Sequence, residues 1–79
     1  SVWSFSPLAK MKVAIAKAIF EGKAEIVASL LATVTPDVGR EAANIVRVKH
    51  GNDAGDKADF LVESIIRTNE KTEYEGEYY

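Results

Sequence analysis

The chain has 79 residues, 47% of them hydrophobic, no cysteine, and a formal net charge of −2. That length permits one small domain, which buries only about 60% of its unfolded surface and depends on a well-packed apolar core or on a partner. Absent cysteine excludes a disulfide framework and a thiolate metal site. The slightly acidic balance argues against a nucleic-acid-binding face and a polybasic membrane anchor. No apolar run approaches the roughly 18 residues of a membrane-spanning helix. Beginning at Ser1 with no signal-peptide pattern, the chain reads as a fragment or a processed product.

The lead, SVWSF, carries Trp3 and Phe5 ahead of the first helix signal. A hydrophobic residue before a helix cap packs back on the first turns, so a staple onto the core is expected. An exposed aromatic docking peptide and disorder are the alternatives. Ser6-Pro7 opens the first helix as cap and first helical residue. It is expected to run to about residue 21. Leu8, Met11, Ile15, Ala18 and Ile19 share one face at helical spacing, and Val13, Ala16 and Phe20 widen it. Lys10, Lys17 and Glu21 fall opposite, and Lys12 projects at the rim of the apolar arc.

Gly22 ends this helix, and a second is expected over residues 23–33, burying Ile26, Val27, Leu30, Leu31 and Val34. The short break predicts an antiparallel hairpin. Thr35-Pro36 repeats the cap-plus-proline start. A third helix over residues 36–49 turns Val38, Ala42, Ile45 and Val46 inward and Arg40, Glu41, Asn44 and Arg47 outward. Gly39 costs this helix about 1 kcal/mol relative to alanine, a cost compensated if it admits a neighbouring helix.

His50-Gly51-Asn52-Asp53 breaks the chain again, with Asn52 or Asp53 as cap of a fourth helix ending near residue 68. Its core stripe is Ala58, Leu61, Val62, Ile65 and Ile66, and its acidic residues are Asp53, Asp56, Asp59 and Glu63. Phe60 is anomalous: it projects away from the stripe, near Ser64 and Arg67. After Asn69 the sequence EKTEYEGEYY has no aliphatic residue, and residues 69–79 read as a solvated, disordered acidic tail. Its Tyr74, Tyr78 and Tyr79 are candidates for phosphorylation or a short docking motif. The fold class expected is therefore all-α: a compact four-helix domain of two αα-hairpins, residues 1–68, plus the tail. The distance from Ser6-Pro7 to Gly22 equals that from Thr35-Pro36 to Gly51, so one hairpin pattern occurs twice.

No catalytic, cofactor or metal constellation stands out. The one histidine, His50, sits where it would favour a helix C-terminus as a cation, and no second histidine or cysteine supports it as a ligand. The acidic residues of the fourth helix lack the loop spacing of a calcium-binding EF-hand. Gly51 and Gly55 are not followed by the Lys-Ser/Thr of a phosphate loop. Ser29 and Ser64 have no partner base in view. The chain is therefore expected not to be an enzyme.

A Pro-led amphipathic helix, then Gly51-Asn52, then small residues leading to Phe60-Leu61 and Ile65-Ile66, resembles the third and fourth helices of caspase-recruitment (CARD) domains. The likeness is nearest to the CARDs of RNA-sensing innate-immune helicases. Residues 11–20 and 25–31 fit the same helix order upstream. The family has six helices, whereas this pattern supplies four. The resemblance implies homotypic signalling assembly in the cytoplasm through opposite-charge patches. The candidates here are a basic set, Lys10, Lys17, Arg40 and Arg47, and an acidic set, Asp53, Asp56, Asp59 and Glu63, with Phe60 beside the latter.

The expected function is thus a protein–protein interaction module, acting by self-association or on another protein, with no nucleic-acid or membrane partner and no cofactor. An assembly domain of a larger polyprotein or fibre, and a small helical lipid or ligand carrier, are the alternatives.

Overall fold

A computed structural model describes residues 7–76, with side chains for residues 7–71. Its four helices are α1 (Pro7–Phe20), α2 (Ala24–Leu31), α3 (Pro36–His50) and α4 (Asn52–Gly76), with no strand among the described residues. The expected all-α domain of two αα-hairpins is what forms. The SVWSF lead and Ser6 lie outside the described residues, as do the side chains of the tyrosine-rich end.

Each hairpin turns at a glycine held at positive φ, +75° at Gly22 and +99° at Gly51. At Gly22 the α1 end closes as a Schellman motif: Lys23 N–H reaches Ala18 O at 3.0 Å and Gly22 N–H reaches Ile19 O at 3.1 Å. At Gly51 the turn is shorter still. Its N–H donates to Arg47 O, and its own carbonyl accepts from Gly55 N–H, both at 2.9 Å. One residue thus ends α3 and starts α4, so Asn52 and Asp53 are in the first turn rather than at the cap. Asp53 there complements the helix dipole. Thr35 has the extended backbone of an N-cap, with Pro36 behind it, and makes no side-chain capping bond.

The core joins Ile15, Ala16, Ala18 and Ile19 of α1 to Val27 and Leu31 of α2. It continues through Val38, Ala42, Ala43 and Val46 of α3 to Ala58, Val62 and Ile66 of α4. Among the described residues no polar or charged side chain is buried, so the interior carries no desolvation penalty that needs a partner. Four expected core positions differ, with Val13 58% and Phe20 54% exposed among them. Leu8 and Ile26 are each 48% exposed, because they sit at the first turn of their helices, where neighbours cover one flank only.

α3 is the hub, packing most extensively on α4 and next on α1. Lys12 pairs with Glu41 and Phe20 meets His50, so α1 and α3 run side by side in the same direction. The repeated Pro-to-Gly spacing thereby appears in space as a parallel register of the two hairpins. α4 runs antiparallel to α3, with Arg40 opposite Glu63 and Arg47 opposite Asp56 and Asp59.

Glycine sets the closeness of that antiparallel pair. A Cβ on Gly55 would lie 2.5 Å from Arg47 Cβ, and one on Gly39 would lie 3.2 Å from Val62 Cγ1 and 2.7 Å from Leu31 Cδ2. The expected close approach at Gly39 is found, and Gly55 reciprocates it from the other helix.

α4 continues past the expected end at residue 68 to Gly76. Glu70, Lys71 and Glu73 are good helix formers, and neither proline nor glycine intervenes before Gly76. No local signal therefore stops the helix before that glycine. Residues 77–79 lie outside the described residues.

Candidate interaction surface

Two surface regions are candidates for contact with a partner. The first is the outer face of α3 and α4. Arg40 holds Glu63 with two bonds, Nε to Oε2 at 2.9 Å and Nη2 to Oε1 at 3.2 Å. It also stands 3.6 Å from Asp37. Arg47 Nη2 donates to Asp56 Oδ1 at 3.0 Å and to Asp59 Oδ2 at 2.6 Å, and its Nη1 lies 3.3 Å from Asn52 Oδ1. Helical spacing explains the geometry. Residues 56, 59 and 63 are one turn apart along α4, as are residues 40, 44 and 47 along α3, so two complementary rows meet along an antiparallel seam.

These pairs shift titration in the expected sense. The hydrogen bond from Arg40 and then its charge hold the Glu63 carboxyl below its ordinary value, against partial desolvation. The Glu63 bond likewise raises the Arg40 guanidinium. Bonds to Asp56 and Asp59 raise Arg47. Because the Glu63 pKa is depressed on folding, its stabilisation is fully present above the unfolded carboxylate value of about 4.3 and is lost as pH falls through the lower folded value. Glu63→Gln is therefore expected to lower the urea midpoint at neutral pH, and the deficit relative to the parent should shrink towards pH 3. A deficit constant across that range would show the pair to be energetically silent.

The structure thus brings Arg40 and Arg47 together with Asp56, Asp59 and Glu63, instead of setting basic and acidic sets on opposing patches. Lys10 and Lys17 stay apart on α1, exposed and without an ion pair among the described residues, and Asp53 is likewise unpaired on α4. Phe60 stands on this face with 78% of its surface exposed. It borders a shallow depression with Asp56, Asp59, Glu63, Ser64 and Arg67. The expectation that it turns from its own core stripe is met.

The second region was not legible as a site. Val13, Ala16, Lys17 and Phe20 follow one another at helical spacing along α1. With Ile45, Val46, Lys49 and His50 of α3 they line a cleft of about 350 Å3. Val13 is 58% and Phe20 54% exposed. The His50 ring lies flat on Phe20, centroids 3.6 Å apart and planes 8° from parallel. The helix end that His50 was expected to cap is closed by Gly51 N–H instead, and the imidazole packs on an aromatic ring. The missed signal was the i, i+3, i+7 recurrence of Val13, Ala16 and Phe20, which reads equally well as a widened core face. Val48, 79% exposed, was missed as well. Its place beside Asn44 on the wheel of α3 would have revealed it.

A further cleft of about 460 Å3 lies between the end of α1, the end of α3 and the start of α4. It opens to solvent, as does one of about 420 Å3 at the opposite end of the molecule. Among the described residues no group of three histidine or acidic side chains is arranged to hold a metal ion. Compared with protein-family models, curated proteins and solved structures, the chain matches none.

Proposed function

We propose that this chain is a non-enzymatic protein-interaction module whose docking face is the outer surface of α4, centred on Phe60. The observation that carries the reading is the exposure of a whole phenyl ring, 78%, on a helix whose opposite face already completes the core. Such a side chain contributes nothing to folding and costs solubility. Burying it against a partner recovers about 1.5–3 kcal/mol. The surrounding carboxylates are held by Arg40 and Arg47 in fixed ion pairs. A rim ordered in advance lowers the entropy lost on association.

A death-fold-like, homotypic form of this function draws on the CARD resemblance of residues 36–66. The resemblance favours self-association in the cytoplasm. The charge distribution favours a different use of the charged residues from the one it implies: Arg40 and Arg47 serve the α3–α4 seam, which leaves the phenyl ring as the principal contact.

The test replaces Phe60 with a photo-crosslinking phenylalanine analogue in the full chain and irradiates it in a lysate of its source cells. The same analogue at Val48 is the control for a merely exposed position. A discrete adduct specific to position 60, its partner residues read by mass spectrometry, is the expected result. Indistinguishable, diffuse labelling from both positions would overturn the reading.

A further inference from the structure

The depression beside Phe60 is lined by four charged side chains, Asp56, Asp59, Glu63 and Arg67. Three of them are already held. Asp56 and Asp59 accept from Arg47, and Glu63 accepts from Arg40. The fourth, Arg67, is exposed and has no ion pair among the described residues. Glu63 stands at the i, i+4 spacing from Arg67 that pairs charges along one helix. The two-bond grip of Arg40 turns it towards α3 instead. The charge of Arg67 reaches Glu63 only as a minor influence beneath that of Arg40. Packing of α3 on α4 thus leaves one guanidinium, with its five N–H donors, unused in a depression whose other charges are paired.

Phe60, Ser64 and Arg67 follow one another at i, i+4, i+7 along one side of α4. Ring and guanidinium are two turns apart, about 10 Å along the helix axis. Ser64 between them is short and exposed, so the way from one to the other is open. At the other end of the depression Asp56 and Asp59 share the single Arg47, and that end repels an anion. Lys57, the other cation within a turn of the ring and without an ion pair, lines the cleft against α1 and α3 instead. An anion approaching Phe60 is therefore directed to Arg67.

We infer that the partner docked on this face is a segment of another protein that sets an apolar side chain on Phe60 and one aspartate or glutamate carboxylate on Arg67, about 10 Å further along α4. This rests on the reading of Phe60 as a docking residue and adds the chemistry of its partner. A guanidinium takes a carboxylate through two parallel N–H···O bonds, a fork that a lysine ammonium does not reproduce. A phosphate brings a second negative charge, which a lone guanidinium beside Glu63 leaves uncompensated, so the carboxylate is the better match. Aromatic and arginine side chains are also the residues in which interface binding energy concentrates.

The experiment keeps the photo-crosslinking analogue at position 60 of the full chain and adds Arg67→Gln, Arg67→Lys or Lys10→Gln. Each protein is first checked for an unchanged helical spectrum and unfolding midpoint. Lys10 is an exposed cation on α1 without an ion pair, so Lys10→Gln makes the same change in net charge away from this face. Arg67→Gln should lower the yield of the position-60 adduct at least about tenfold, the loss of an interface arginine. Arg67→Lys, which keeps the charge and loses the fork, should fall between it and the parent, and Lys10→Gln should match the parent. The crosslinked partner peptide, read by mass spectrometry, should carry an aspartate or glutamate within about seven residues of the adduct, the span of 10 Å on a helix.

A yield untouched by Arg67→Gln, or an equal loss from Lys10→Gln, would overturn the inference. So would a crosslinked peptide without such a carboxylate, one bearing a phosphate in its place, or one from a second copy of this chain. Each of these results leaves Phe60 as a docking residue, whereas absence of any specific adduct at position 60 removes both readings.

Discussion

Replacing Ile15 by alanine should destabilise the domain by about 2–5 kcal/mol. A chain of this size has roughly 4–12 kcal/mol in all, so the variant should be partly unfolded near room temperature. Ile15 is fully buried, the centre of the α1 contribution to the core. The surroundings cannot collapse onto the space it leaves. Ala16, Ala18, Ala42, Ala43 and Ala58 already bring the helix backbones close, and short side chains have no slack with which to fill a void. Leu8→Ala is the matched control. Both residues are large aliphatics on the expected apolar face of the same helix, yet Leu8 is half exposed, and its loss should cost about 0.5 kcal/mol or less. Urea midpoints of the two variants measure the contrast. Equal losses would contradict the burial pattern of α1.

Gly55→Ala should destabilise by a net amount of about 1–2 kcal/mol, even though alanine is the better helix former by about 1 kcal/mol. The new methyl group would sit 2.5 Å from Arg47 Cβ and 2.8 Å from Arg47 Cγ. A Cβ position is set by the backbone of α3, so rotating a side chain does not relieve the clash and the two helices must separate. Separation also draws the Arg47 guanidinium from Asp56 and Asp59, so the variant should lose part of the salt sensitivity of the parent. Gly39→Ala is the milder test. Its nearest neighbour is the terminal Cδ2 of Leu31, which moves more readily, so its loss should be smaller than that of Gly55→Ala. Thermal unfolding of both variants ranks them. A Gly55→Ala protein as stable as the parent would refute the close α3–α4 contact.

Much of the fold was legible because its signals are local. Pro7, Gly22, Pro36 and Gly51 act through their own φ angles and missing or permitted backbone bonds, and the helices begin and end beside them. Apolar periodicity identified Ile15, Ile19, Val27, Leu31, Val38, Ala42, Val46, Ala58, Val62 and Ile66 as core positions, and all are buried. Periodicity failed where it had to, at residues whose face is apolar but whose neighbours run out. Leu8, Val13, Phe20 and Ile26 lie on the expected arcs, yet a four-helix domain has too few helices to cover every flank.

The candidate surface divides in the same way. The outward direction of Phe60 follows from its place on the helical wheel, a property of α4 alone. The pairing of Arg40 with Glu63 joins residues 23 apart, and the stack of Phe20 on His50 spans a longer separation still. Neither leaves a trace in local pattern.

By itself, then, the sequence determined four helices, their corners and which side of each is apolar, since these depend on backbone dihedral preferences and the 3.6-residue repeat. Only the tertiary structure decided that α1 lies parallel to α3, that Gly55 admits Arg47, and that a basic-rimmed cleft opens on the side away from Phe60. Those outcomes depend on how closely two helix backbones approach and on which rows of side chains meet across the gap, and that geometry exists only once the helices are packed.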